Sequence, residues 1–423
     1  MLIATIGILA VTGAPLMGGA AAVDITPDLQ WITVSLGGYG DRQGKPATGV
    51  HDRLFARALA LQQGSQRFAL LSLDLLCVAP TMRDDLLHEL ADLHLDQGLL
   101  MCASHSHGAP ENIHKNGDVL PQAFGRYNDF WYQWLLQRME QAVRQAFHHL
   151  QPVQVGSQVI RLEGFSRNRR GERGSGLVDP DATVVRIADQ QGRTLALVVD
   201  FAAHGTFMDS TDFEVCGDWP GAMARALEEA VPGAVALYCQ GATGDVSPVK
   251  EGDGDDYQRA ESYGRAVAQR LLQAAQTSVK PNVELRCVTL NEPLPPLCFS
   301  PAFLESTAEE YPMDVSKGAA FLSLLFPTQA AFAAVHIGDL LFASMPGEVV
   351  TSIGLEFKEA ARKMGYRVPV LVGYANNYAG YIVSPQDYDS GGYETGTSFY
   401  GRDVGPEMLK RALAAVRALE GKP

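Results

Sequence analysis

Five side chains in this sequence are of the types that hold a metal ion, and each follows an apolar run. His105 and His107 lie two apart in Ser104-His105-Ser106-His107, directly after Leu99-Leu100-Met101-Cys102-Ala103. His204 follows Leu195 to Phe201, and Glu348 follows Leu340 to Ala343 through Met345-Pro346-Gly347. Tyr381 closes the segment Tyr374-Ala375-Asn376-Asn377-Tyr378-Ala379-Gly380, which follows Val370-Leu371-Val372. Imidazole and carboxylate are ready zinc ligands, and a catalytic zinc keeps one position open for water or substrate. On extended backbone, residues i and i+2 face the same way, so both imidazoles of the alternating pair can enter one pocket. Taken singly, each has a plainer reading: loop histidines, a structural His204, a solvent-facing Glu348, a packed Tyr381. Their joint arrival at the ends of strand-like runs points to one metal site.

The positioning elements follow from the pattern. In an open α/β sheet, ligands bind in the crevice beyond the carboxyl ends of the strands. Strand-like and helical segments interleave along the chain, with hairpins across Gly64-Ser65, Gln191-Gly192 and Gly338-Asp339. The expected class is α/β, a single catalytic domain on mixed sheets with its metal site at the strand carboxyl ends. Phe130 to Leu150 has the clearest helical stripe, through Trp131, Leu135, Met139 and Val143. Val23 to Pro27 reads as a strand, and Lys280 to Thr328 as a small insertion.

Composition narrows the class of partner. A length of 423 residues, 46% hydrophobic and 19% charged, suits a large packed core. The formal net charge of −14 argues against nucleic acid, since a polyanion is repelled over most of such a surface. Arg167-Asn168-Arg169-Arg170 leaves room for a local basic pocket, with a solvated loop as the alternative. The six cysteines show no CxxC pair and no disulfide framework; Cys287 and Cys298 are close enough in sequence to bridge. Met1 to Val11 is apolar over the length of a signal-peptide core, and small residues run on through Ala22. A leader over 1–22 with a domain over 23–423, and hence a secreted or periplasmic protein, is one reading. The missing positive n-region leaves a first β-strand, and a cytoplasmic protein, as the other. No stretch reaches transmembrane length.

Gly241-Ala242-Thr243-Gly244-Asp245-Val246-Ser247-Pro248 follows the apolar Val235 to Cys239. Ser247 is outside a GxSxG elbow, and the loop lacks the P-loop lysine, so its hydroxyl is expected to hydrogen-bond rather than attack. The ordered set His105-Ser-His107, Asn168-Arg169, His204-Gly-Thr, Gly244-Asp-Val-Ser247-Pro, Pro-Gly-Glu348 and Asn377-Tyr-Ala-Gly-Tyr381 resembles the neutral/alkaline (non-lysosomal) ceramidases. Asp24-Ile25-Thr26-Pro27 and Gly38-Tyr39 resemble that family's opening strand and turn.

The resemblance implies a zinc-dependent hydrolase that cleaves the amide of N-acylsphingosine, a small amphipathic substrate met at a membrane surface. It implies His105, His204, Glu348 and Tyr381 as zinc ligands, and His107 as the proton carrier beside them. Arg169, Ser247 and Tyr393 are the implied substrate-pocket residues, Tyr393 also stabilising the oxyanion. Two departures stand out. Gly108-Ala109-Pro110 follows His107 where the family usually has Ser-Gly-Pro, and the chain stops soon after Tyr381, short of the family's C-terminal immunoglobulin-like domain. The alternatives are a zinc amidohydrolase for another N-acyl amine and a non-catalytic binding protein of the same fold.

Overall fold

The computed structural model describes residues 13–281 and 283–421. Eight strands form its larger sheet: β1 (Met17–Asp24), β2 (Phe55–Gln63), β3 (Gln66–Leu73), β4 (Leu99–Ala103), β5 (Gln151–Arg161), β6 (Asp181–Asp189), β7 (Thr194–Phe201) and β8 (Val235–Gln240). Their order is β8-β7-β6-β5-β1-β2-β3-β4, antiparallel except for the two edge pairs β3–β4 and β7–β8. The two halves are joined narrowly, through Met17 opposite Pro152 and Gly18 opposite Gln151. Across the fold the edge strand β8 reaches β3, where Ser72 Oγ donates to the Tyr238 carbonyl at 2.7 Å. A second sheet, β9 (Leu285–Pro293), β10 (Gln329–Ile337), β11 (Leu340–Ser344) and β12 (Val368–Val372), is antiparallel except for β11–β12.

The burial patterns explain this stacking. β4, β11 and the inner part of β7 are buried at every position, as expected of strands covered on both faces. One shared core joins these two sheets, with Phe68, Leu100, Val198, Leu237, Phe342 and Val370 among its members. Helices cover the outer faces: α1 (Asp129–His148), α2 (Asp218–Ala230), α3 (Asp256–Ala274), α4 (Thr351–Lys363) and α5 (Val404–Leu419). The expected mixed α/β class is the class found. Every strand expected to deliver a site residue is present: β4, β7, β11 and β12.

Several expectations need correction. The first described strand runs from Met17, not Val23, so a boundary after residue 22 cuts through the sheet. Its small residues are there for close approach: a Cβ at Gly19 would stand 2.3 Å from the Ala146 carbonyl of α1. Residues 1–12, the remainder of the expected leader, lie outside the described residues. Lys280 to Thr328 is not a separable insertion, because it supplies β9 to the second sheet. All six cysteines are free; Cys287 Sγ faces Gln66 and the Arg67 carbonyl instead of Cys298. Among the described residues no helix is long and apolar enough to cross a membrane.

One buried group gives the fold a pH dependence. Asp200, at the end of β7, has an Oδ1 with no hydrogen-bond partner, and burial pushes its carboxyl up to about 7 against the pull of Lys358. The folded state therefore holds this proton more tightly than the unfolded chain, so stability falls as pH rises from the ordinary carboxyl range through about 7. A shift of this size corresponds to roughly 4 kcal/mol at most. Asp200→Asn is expected to melt higher than the native chain at pH 8 and close to it at pH 5. Thermal melts giving the two proteins parallel pH curves would remove Asp200 as the source.

Candidate metal centre

The site residues gather because several strand ends open into one crevice. Beyond β4 the chain turns at His105, whose φ of +59° is the left-handed region, and the turn swings its ring inward. A parallel bridge sets Ser106 beside Gly205, and another sets Glu348 beside Tyr381. Glu348, His105 and His204 are almost fully buried.

Hydrogen bonds fix which atom of each imidazole faces inward. His105 Nδ1 donates to the Leu76 carbonyl at 2.9 Å, and His204 Nδ1 donates to the Val246 carbonyl at 3.0 Å. Each Nε2 is therefore a lone pair. His204 Nε2 lies 3.0 Å and His105 Nε2 3.5 Å from Glu348 Oε2, and His107 Nε2 lies 3.2 Å from His105 Nε2. Burial pushes His105 down to about 3 and lowers His204 and His107 as well, keeping all three imidazoles neutral. Burial alone would raise Glu348, but the Tyr378 hydroxyl, which donates to it at 2.5 Å, favours its ionised form and helps hold it well below the usual carboxylate range. Neutral nitrogen lone pairs thus converge on an ionised oxygen, which is repulsive unless a cation lies between them. Nitrogen and oxygen ligands on tetrahedral zinc stand about 3.3 Å apart, close to these separations. The donor set fits a metal ion.

The third histidine differs in a telling way. His107 Nδ1 is buried and has no partner, whereas ligating histidines almost always have their other nitrogen held. Its ring is seated by Gly38, where φ is +87° and a Cβ would stand 2.1 Å from His107 Nδ1. Tyr39 packs edge-on to it, with ring centroids 4.7 Å apart.

Around this cluster the remaining expected residues take definite places. Arg169 Nη2 donates to the Tyr381 hydroxyl at 2.6 Å and to the Gly244 carbonyl at 2.9 Å, while Nε donates to Glu394 at 3.0 Å. Tyr393 stands edge-on to Tyr381 at 5.8 Å. Ser247 sits on the short strand Val246–Pro248, opposite Arg167. The basic loop is only partly solvated: the Arg170 side chain is 1% exposed and clamped by Glu394. Position 108 has no room for a side chain, since a Cβ there would come within 2.3 Å of Cys216 Sγ.

Reading the sequence missed three supports of Glu348 and Arg169. The Tyr378 hydroxyl donates to Glu348 Oε1 at 2.5 Å and the Tyr374 hydroxyl to Oε2 at 3.2 Å; Glu394 bridges Arg169 and Arg170. The signal was the tyrosine-rich segment itself, but positive φ at Tyr374, Asn376 and Gly380 scrambles any periodicity in it.

Two pockets meet at this cluster and share Gly38, His107, Tyr381 and Tyr393. One is walled by apolar side chains including Leu120, Phe124, Met313, Phe326 and Phe399, and the other by Arg167, Arg169, Arg170, Ser247 and Lys250. The family model described as "Neutral/alkaline non-lysosomal ceramidase, N-terminal" matches residues 17–261 and 312–408. The chain belongs to this family. It is 28% identical to a neutral ceramidase of Mycobacterium tuberculosis over 51% of its own length and 38% of that protein's. It is 21% identical to the neutral ceramidase of Pseudomonas aeruginosa over 92% of this chain and 69% of that one. The crystal structure of the Pseudomonas aeruginosa neutral ceramidase superposes with a TM-score of 0.80 at 20% identity, covering 97% of this chain and 75% of the other. A ceramidase solved in complex with C2 superposes with a TM-score of 0.81 at 19% identity, covering 97% and 76%. These superpositions establish the ceramidase fold. The chain's alignment spans under two fifths of the Mycobacterium relative and of neutral ceramidase B from Dictyostelium discoideum.

Proposed function

We propose that this chain is a zinc-dependent amide hydrolase that cleaves N-acylsphingosine to a sphingoid base and a fatty acid. The observation that carries the reading is the donor cluster lying where an apolar pocket meets an arginine-lined one. An amphipathic amide, with an apolar chain and a polar head, has that division of chemistry. Family membership supports the reaction class, and the relatives it resembles are neutral ceramidases.

His105, His204, Glu348 and Tyr381 are assigned to hold the zinc. When bound, zinc supplies Lewis acidity, making water more acidic and polarising a carbonyl. His107, neutral and with its Nε2 at the centre 3.2 Å from His105 Nε2, takes the proton of the attacking water on that nitrogen and returns it to the leaving amine nitrogen. The C–N bond breaks, the acyl carbon keeps the water oxygen, and the Tyr393 hydroxyl donates to the oxyanion that forms on the way. Arg169 keeps Tyr381 in place and, with Ser247, orients the polar head.

A panel of N-acyl amines tests the substrate. Burying each methylene is worth about 0.8 kcal/mol, so extending the acyl chain by two carbons should raise kcat/KM roughly tenfold until the apolar pocket is full. Turnover confined to short, polar acyl amides would discard ceramide and leave the metal site standing. Secretion to reach such a substrate at a membrane surface is part of this reading, and detection of the processed protein outside the cytoplasm tests it.

Ser247→Ala should fold and keep its zinc while kcat/KM falls about 10- to 100-fold, the size of one substrate hydrogen bond. Native kinetics in this variant would remove Ser247 from the site, and an acyl group trapped on Ser247 would give it a covalent role instead.

A further inference from the structure

A second group of donor atoms lies close to the first and shares none with it. Cys77, Glu111 and His114 are buried, and their Sγ, carboxylate and imidazole atoms converge. Cys77 Sγ is 3.7 Å from Glu111 Oε1 and 3.5 Å from His114 Nε2, and Glu111 Oε1 is 2.7 Å from that same nitrogen.

Two chemistries use a cysteine, a histidine and a carboxylate. In a nucleophilic triad the imidazole lies between its partners, with the thiol on one nitrogen and the acid on the other. Here both approach Nε2, so the imidazole cannot relay a proton between them. Convergence of three donors on one point is the arrangement of ligands around an ion. Zinc–sulfur bonds of about 2.3 Å and zinc–nitrogen bonds of about 2.0 Å place sulfur and nitrogen about 3.5 Å apart at a tetrahedral centre. The two sulfur separations match, whereas Glu111 Oε1 and His114 Nε2, 2.7 Å apart, are hydrogen-bonded directly, and an ion would take the place of the proton they share.

Glu111 adds an independent observation. Its Oε2 is buried and has no hydrogen-bond partner, and a Cβ on Gly37 would stand 2.7 Å from it. The carboxylate's one ion-pair partner among the described residues is His114. A buried carboxylate oxygen without a donor is costly, and a cation offsets that cost directly. Phe124 packs over the His114 ring at 4.5 Å, while Glu111 itself lines the apolar pocket, which gives the cluster a route for an ion to enter.

We propose that Cys77, Glu111 and His114 bind a second cation, a thiolate-accepting divalent metal of the zinc type, with both Glu111 oxygens available to it. Cys77 directly follows Leu76, whose carbonyl holds His105 Nδ1. An ion on Cys77 therefore anchors the backbone that sets the His105 tautomer, which makes this a positioning site for the first centre.

Cobalt(II) loading of the full chain tests this, because the first centre contains no sulfur. The cobalt-loaded native chain should show a near-ultraviolet thiolate-to-cobalt charge-transfer band and bind about two equivalents. His204→Ala should keep the band and lose one equivalent. Cys77→Ser, or His114→Gln if the former fails to fold, should lose one equivalent, and Cys77→Ser should lose the band. Absence of the band in the native chain, or its persistence in Cys77→Ser, overturns the second site. A band with only one equivalent bound supports the second site and counts against the first, so the two readings fail separately.

Discussion

His204→Ala is expected to abolish metal binding at the first centre and to lower kcat/KM by at least about 10³-fold. The imidazole supplies one of the lone pairs that meet Glu348, and the bond from its Nδ1 to the Val246 carbonyl holds that lone pair in place. Losing a Lewis acid worth several kcal/mol of transition-state stabilisation gives a factor of that size. His105→Ala should behave in the same way. Metal analysis and kinetics on the two variants check this together. Full occupancy of the non-thiolate metal in either variant would sink the ligand assignment.

His107→Ala should separate metal binding from turnover. It is expected to retain the first-centre metal while losing about 10²- to 10⁴-fold in kcat, the usual contribution of a placed acid–base group. The reason is its unpartnered Nδ1, which contrasts with the carbonyl-held Nδ1 atoms of His105 and His204. Burial keeps His107 neutral, so its ring retains a lone pair on which a proton can be taken up. Metal loss as complete as in His105→Ala would make His107 a ligand, in keeping with its Nε2 lying 3.2 Å from that of His105. The roles of His107 and Tyr381 would then have to be exchanged or shared.

The strands that carry the site were legible because buried parallel strands write themselves as unbroken apolar runs, and each such run ended at a candidate ligand. The α1 stripe was legible for the same kind of reason, as helical periodicity records a buried face. The first strand was misplaced because Gly18-Gly19-Ala20-Ala21-Ala22 carries no strand pattern of its own. Small residues there serve the approach of α1, and only the packed helix reveals why they are small. The Lys280 to Thr328 segment was misread because its strand, β9, finds its partner β10 some forty residues on.

The sequence by itself determined the residue types available for catalysis, the runs that deliver them and the family to which they belong. Side-chain chemistry and strand burial are local properties, and they survive in the order of residues. Only the tertiary structure decided which nitrogen of each histidine faces the centre, that Tyr374 and Tyr378 hold Glu348, and that Glu394 steadies Arg169. It also decided that Cys77 meets Glu111 and His114. These pairings join segments from different parts of the chain, and hydrogen bonds across such distances are set by how the sheets stack. That stacking depends on the shape of the whole core, which no local pattern of residues records.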